Sequence, residues 1–208
     1  MSSGGEVREV LAFWFGEPGS PDYGRPRPAW FRKDPAFDEE IRHRFLALHA
    51  RAALGELDRW HDDPDSLLAL VVVLDQFSRN LYRDDPRAFS QDAAALACAQ
   101  LAIGRGWDEA RRPVERQFRY LPVEHAEDLA MQDRSVALFS ALEAFPETKG
   151  LTEWAEKHRV IVRRFGRFPH RNEILGRTPT PDETEFLRDW DAKKKPTGAD
   201  DLPPVKKG

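Results

Sequence analysis

The segment from Asp63 to Asn80 constrains this chain most. Asp63-Pro64 is a helix start: the Asp carboxylate can cap free backbone N–H groups, and Pro is tolerated in the first turn. Ser66-Leu67-Leu68-Ala69-Leu70-Val71-Val72-Val73-Leu74 follows. Three consecutive β-branched valines would suit a strand. The start signal, together with Phe77 and Leu81 extending the apolar pattern, selects a helix. A helix apolar on nearly every side belongs at the centre of a fold. Its far end turns abruptly polar, at Asp75-Gln76-Phe77-Ser78-Arg79-Asn80.

The same start signal occurs twice more. Asp34-Pro35 opens a helix carrying Phe37, Ile41, Phe45, Leu48 and Ala52 at helical spacing. Asp85-Pro86 opens an alanine-rich helix predicted to end near Gly104 or Gly106. Val7, Val10, Leu11 and Trp14 form a stripe over residues 6–15, stopped by Gly16 and Pro18. Residues 16–33 are a predicted surface loop ending in Trp30-Phe31. Further helices are predicted over 113–121, closed by Pro122, over 125–145, and over 151–165, ending at Gly166. Thr180-Pro181-Asp182-Glu183 matches a capping box. The expected fold class is all-α: about eight to ten helices, short loops favouring antiparallel helical hairpins, and no sheet. One domain is expected over 1–190, with a disordered polar tail over 191–208.

Composition narrows the function classes. Forty per cent of the 208 residues are hydrophobic, enough for a substantial core. The net charge of −4 argues against nucleic acid or an anionic membrane as partner, since both favour a basic domain. The longest apolar run, Leu67 to Leu74, is far short of the roughly 20 residues that span a bilayer. The start of the chain lacks a basic region followed by an apolar run, so no secretion signal is expected. A single cysteine, Cys98, excludes an intrachain disulfide and sits in an apolar helix as a small buried hydrophobe. The expected location is the cytoplasm.

Three polar stretches carry the candidate chemistry. In the first, Asp75 and Arg79 are four apart and can pair on one helix face, beside Gln76 and Asn80. The second, Arg116 to Asp128, contains Glu124, His125, Glu127 and Asp128. A histidine among acids suits proton transfer or metal ligation. Its spacing matches no di-iron pattern, and Glu40 with His43 reads as a solvated face, so no metal site is assigned. The third, His158 to Arg177, holds six arginines, two histidines and one acid. His158 shares a face with Trp154, Ile161, Val162 and Phe165 and reads as a satisfied core histidine. Arg167 and Arg171 bracket Phe168-Pro169 and offer planar donor forks for a carboxylate or phosphate. Asp75, Glu124 and Glu127 could neutralise these arginines instead, which would make a structural network.

Five motifs, in this order, resemble one family. They are Val10-Leu11-Ala12-Phe13-Trp14-Phe15-Gly16; Trp30-Phe31; Leu74-Asp75-Gln76-Phe77-Ser78-Arg79-Asn80; Tyr120-Leu121-Pro122-Val123-Glu124-His125-Ala126-Glu127-Asp128; and Arg164-Phe165-Gly166-Arg167-Phe168-Pro169-His170-Arg171-Asn172. Together they resemble the bacterial domain of unknown function 924 family, over about residues 7–187. That family tends to have Pro at the position of Ser78 and Ser at that of Ala126. The resemblance implies a tetratricopeptide-like all-helical fold and supplies no activity.

The leading expectation is a pocket for a small anionic molecule, with catalysis as an option. Its lining would be Asp75, Gln76, Arg79, Asn80, Arg167, Arg171, Asn172 and Trp30, walled also by Trp14, Phe15 and Phe31. His125 or His170, with Glu124 or Glu127, would move protons. The sequence leaves the cofactor unknown. The alternative is a tetratricopeptide-like scaffold that binds a peptide or protein.

Overall fold

The computed structural model describes residues 3–193, and among these there is no strand. Helix α1, Ser3–Phe15, buries Val7, Val10 and Trp14. Gly16 ends it with φ 91°, and a Cβ there would lie 3.2 Å from Tyr23 Cα. The loop after it folds back onto the open carbonyls of α1. Arg27 Nη1 donates to the Trp14 carbonyl at 3.1 Å, as does Trp30 Nε1, also at 3.1 Å. These bonds satisfy helix-end acceptors and fix Trp30 in place.

Helix α2 spans Pro35–Ala53, and Asp34 accepts from the Ala36 and Phe37 amides at 3.0 and 3.2 Å. Helix α3, Pro64–Val71, is capped by Asp63 in the same way. It runs without a break into a π-helical turn, Val72–Phe77, and then into α4, Ser78–Leu81. All residues from Leu67 to Ser78 are buried, so this composite helix is the centre of the molecule. The π turn was not foreseen from the sequence. Its wider winding disturbs the regular i→i−4 ladder. Side chains take up carbonyls there: Ser78 Oγ donates to Leu74 O at 2.6 Å, and Arg79 Nη1 to Asp75 O at 2.8 Å.

Aromatic rings from α1, α2, the Trp30 loop and α6 pack around this helix. Phe118 is their hub, with ring centroids 4.8 Å from Trp30, 5.4 Å from Trp14 and 5.5 Å from Phe15. Helix α5, Asp92–Gly104, approaches α3 through the buried small residues Ala95, Ala99 and Ala102. Helices α6 (Pro113–Glu124), α7 (Leu129–Ser140) and α8 (Leu151–Phe165) then pack in chain order, each on its predecessor. Helix α9, Pro181–Lys193, sits against the short turn Pro169–Arg171. The expected capping box is present: Glu183 accepts from Thr180 N at 2.7 Å, and Thr180 Oγ1 from Glu183 N at 3.2 Å. Among the described residues no helix is long and apolar enough to cross a membrane.

Four boundaries differ from the sequence reading. Asp85 caps only a 3₁₀ turn, Pro86–Phe89, and α5 begins afresh at Asp92. Pro122 does not close α6. Residues 117–125 are all buried, and packing on that scale outweighs the donor that proline lacks. The ladder resumes at once, with His125 N donating to Leu121 O at 2.8 Å. Residues 125–145 are not one helix. Gln132 Nε2 takes the Glu124 and Ala126 carbonyls at 2.6 and 2.8 Å, ending α6, and Asp128 caps α7 separately. Finally, α9 continues to Lys193, past the expected tail boundary at 191, and residues 194–208 lie outside the described residues.

Candidate functional site

The break after α6 sets His125 against the π turn. Its Nδ1 lies 2.8 Å from Oδ1 of Asp75, a carboxylate with no solvent exposure. Asp75 also accepts from Gln76 Nε2 at 2.5 Å and pairs with Arg79 Nη1 at 3.0 Å. Burial alone would raise the Asp75 pKa. The Arg79 guanidinium, His125 and the Gln76 amide more than offset this and hold the carboxyl well below the usual carboxylate range.

Arg79 reaches outward as well. It grips Asp92, in the first turn of α5, with Nη1 at 3.0 Å and Nη2 at 3.3 Å. Arg171 Nη1 meets the same carboxylate at 3.1 Å, its guanidinium 4.7 Å from the rings of both Phe89 and Phe168. One chain of hydrogen bonds and ion pairs therefore runs from His125 through Asp75, Arg79 and Asp92 to Arg171. It joins members of all three polar stretches.

A cleft opens beside this chain. Its walls are Trp30, Phe31, Phe89, Leu121 and Ile174 on the apolar side, and Gln76, Arg79, Asn80, Arg83, Asp84 and His125 on the polar side, with Ala88. Arg83 is held by Asp38 through Nε and, at 2.9 Å, through Nη2. Asn80 donates to the same Asp38 at 2.7 Å. Of the expected site residues, Gln76, Arg79, Asn80, His125 and Trp30 line the cleft. Asp75 stands directly behind it, and Arg171 is not in the lining but pairs with Asp92 and lies over the ring of Phe89, one of the walls.

The other expected residues are placed elsewhere. Arg167 forms a bidentate pair with Glu183, at 2.6 and 2.8 Å, and Asn172 donates to Glu183 at 3.2 Å. The Arg167 fork pulls the Glu183 carboxyl down to about 2. These contacts dock α9. Neither Arg167 nor Asn172 is in the lining of the cleft. Glu124 belongs to the core around His158, with Oε1 2.6 Å from His158 Nδ1, itself 3.0 Å from Trp154 O. Glu127 accepts from Arg177 at 2.7 and 3.0 Å and from Phe168 N at 2.7 Å. Burial works against its charge, and these donors overcome that, holding its pKa down. Neither glutamate partners His125, so the expected His–Glu arrangement is replaced by His125–Asp75. His170 packs its ring 5.5 Å from Phe168, outside the cleft lining. Trp14 and Phe15 are fully buried core, and walls of nothing.

Asp92, Asp38 and Arg83 were missed as network members, and Phe89, Leu121 and Ile174 as cleft walls. Asp92 had a readable signal. An acid in a first helical turn is placed to face a cation, but assigning the helix start to Asp85 put Asp92 in mid-helix. Cys98, 3 % exposed, has its pKa pushed up by burial to about 11, as a small packed residue should.

The fold is an all-α helical array with a buried ion network flanking an open cleft. The chain belongs to a bacterial protein family of unknown function, DUF924, whose model matches residues 10–191. It is similar to a solved structure of the protein of unknown function ATU0120 from Agrobacterium tumefaciens. The two share 40% identity over 90% of this chain and 99% of that one, with a TM-score of 0.78. No curated protein matches the chain.

Proposed function

We propose that the cleft binds a small anionic molecule with an apolar body. The observation that carries this reading is the meeting, in one opening, of two arginines and a histidine with Trp30, Phe31 and Phe89. Ligand pockets combine apolar walls with a few convergent polar groups in this way. Each arginine already has a carboxylate partner, so the ligand is read by directed donors rather than by excess positive charge. Arg83 keeps its Nη1 group out of the pair with Asp38 and supplies such donors. The stacking of α5 to α8, each on the next in chain order, supports reading the array as tetratricopeptide-like.

The test is a thermal-shift screen of carboxylate and phosphate metabolites against wild type, Arg83→Ala and Arg167→Ala. A ligand that binds only the folded chain raises Tm as its concentration passes Kd. A saturable rise is expected in wild type and Arg167→Ala, and a weakened one in Arg83→Ala. A response in Arg83→Ala equal to that of wild type, or no response to any compound, would sink the reading.

A further inference from the structure

We infer that His125 is a general base of the cleft, with Asp75 as its positioning residue. This rests on the cleft being a ligand site, as proposed above. Nδ1 of His125 is committed to the Asp75 carboxylate at 2.8 Å. Arg79 and Gln76 keep that carboxylate ionised, and an ionised carboxylate only accepts. Nδ1 must therefore carry the hydrogen. In the neutral ring this leaves the lone pair on Nε2. Nε2 has no hydrogen-bond partner among the described residues and is not sealed in the interior, while the ring as a whole is 5 % exposed and lines the cleft.

The other core histidines make the contrast. His49 also has one ring nitrogen bonded, Nε2 to Ser78 Oγ at 2.7 Å, but its Nδ1 is shut inside the core. His158 spends Nδ1 on Trp154 O and Glu124. His125 pairs a fixed donor side with an open acceptor side. A buried carboxylate that holds a histidine in one tautomer and steadies its charged form is a recognised device for base catalysis.

Among the described residues the cleft lining contains no serine, threonine, cysteine, lysine or tyrosine. With no such side chain to give up a proton, the donor assigned to His125 is a water molecule. The water O–H bond breaks as an Nε2–H bond forms, and the ring's positive charge sits against the Asp75 carboxylate. The electron pair stays on the water oxygen, which is left as hydroxide.

Two measurements on the full chain test this. The first is long-range proton–nitrogen NMR of histidine-labelled protein at about pH 8, where an ordinary imidazole is neutral. His125→Gln identifies the resonance. Nδ1 should show the protonated-type shift and Nε2 the lone-pair type. The reverse tautomer in wild type overturns the inference, and this readout does not depend on any variant of Asp75 folding. The second is carbethoxylation by diethyl pyrocarbonate, mapped by mass spectrometry. His125 should react in the folded protein while His49 stays protected, and Asp75→Asn, where it folds, should shift the tautomer balance. An unreactive His125 alongside a reactive, exposed His43 also overturns it. Inorganic phosphate and succinate form a separate arm. An anion that covers the site at ten times its Kd should slow modification about tenfold. Reaction at His125 that neither anion slows leaves the base in place and removes the anion reading instead.

Discussion

Asp75→Asn is the most informative single change, because it keeps the side chain's volume and removes its charge. The wild-type carboxylate receives Arg79, His125 and Gln76 while fully buried. Stripping one partner from a buried ion pair costs about 3–5 kcal/mol, because the other charge is stranded. Arg79 is not fully stranded here. It keeps both bonds to Asp92, and its side chain is 17% exposed. The expected loss is therefore at the lower end, about 3 kcal/mol. Urea unfolding followed by tryptophan fluorescence reads it as a fall in the midpoint at constant m. The pH dependence gives a second check. A carboxyl whose folded pKa is depressed stabilises fully above its unfolded value, about 3.9, and loses that contribution as pH falls toward the folded value. The gap between wild type and variant should thus still be present at about pH 5 and narrow below about 4. A variant within about 0.5 kcal/mol of wild type at pH 7 would refute the claim that Asp75 anchors the network.

Further outcomes follow from other parts of the structure. Glu183→Ala removes both the Arg167 fork and the α9 capping box; it should cost about 1–2 kcal/mol and raise hydrogen exchange over 181–188, with unchanged exchange counting against the docking role. The depressed Glu183 pKa means this contribution is present above the ordinary carboxylate range and lost as pH falls toward about 2, so acid should erase the variant's deficit. Phe118→Ala empties the hub of four aromatic contacts and should cost about 3–5 kcal/mol in urea unfolding, whereas a loss under 1 would mean the rings repack. Cys98, buried with its pKa near 11, should resist a thiol reagent at neutral pH until the chain unfolds; rapid labelling of the native protein contradicts the burial.

The fold was legible wherever a local signal coincided with packing. Asp34, Asp63 and Thr180 start helices as their chemistry dictates, and Gly16 and Gly166 stop them. The signal misled where packing overrode it. Asp85-Pro86 carries the same letters as Asp63-Pro64, yet only a 3₁₀ turn follows, since Arg87 and Ser90 are exposed and the apolar alanines begin later. Pro122 reads as a terminator, but it lies within nine consecutive buried residues, and burial held the helix together through it. The π turn leaves no trace in a hydrophobic pattern that is apolar on every side. Only its consequences, Ser78 and Arg79 turned onto backbone carbonyls, betray it.

The site was legible by stretch and not by partner, and the reason is charge. Residue type told which segments were rich in arginine and acid, but pairing is a three-dimensional choice, and spacing fixes it only within one helix. Asp75–Arg79, four apart, was readable. His125–Asp75 spans 50 positions and depends on α6 ending where Gln132 captures its carbonyls. Arg167 and Arg171, also four apart, looked like one clamp and serve two networks, because they lie in a turn and a 3₁₀ segment rather than on a helix face. Almost every arginine so placed found a carboxylate. What distinguishes the cleft is therefore not positive charge but the donors and lone pairs left over once the ion pairs are made: Arg83 Nη1 on one side, His125 Nε2 on the other. A site built this way selects a ligand by hydrogen-bond geometry, so its affinity should fall only modestly between low and moderate salt, where an excess-charge site would lose most of it. Titration of the best compound from the thermal-shift screen at two ionic strengths measures the difference, and a steep salt dependence would put the selectivity back on net charge.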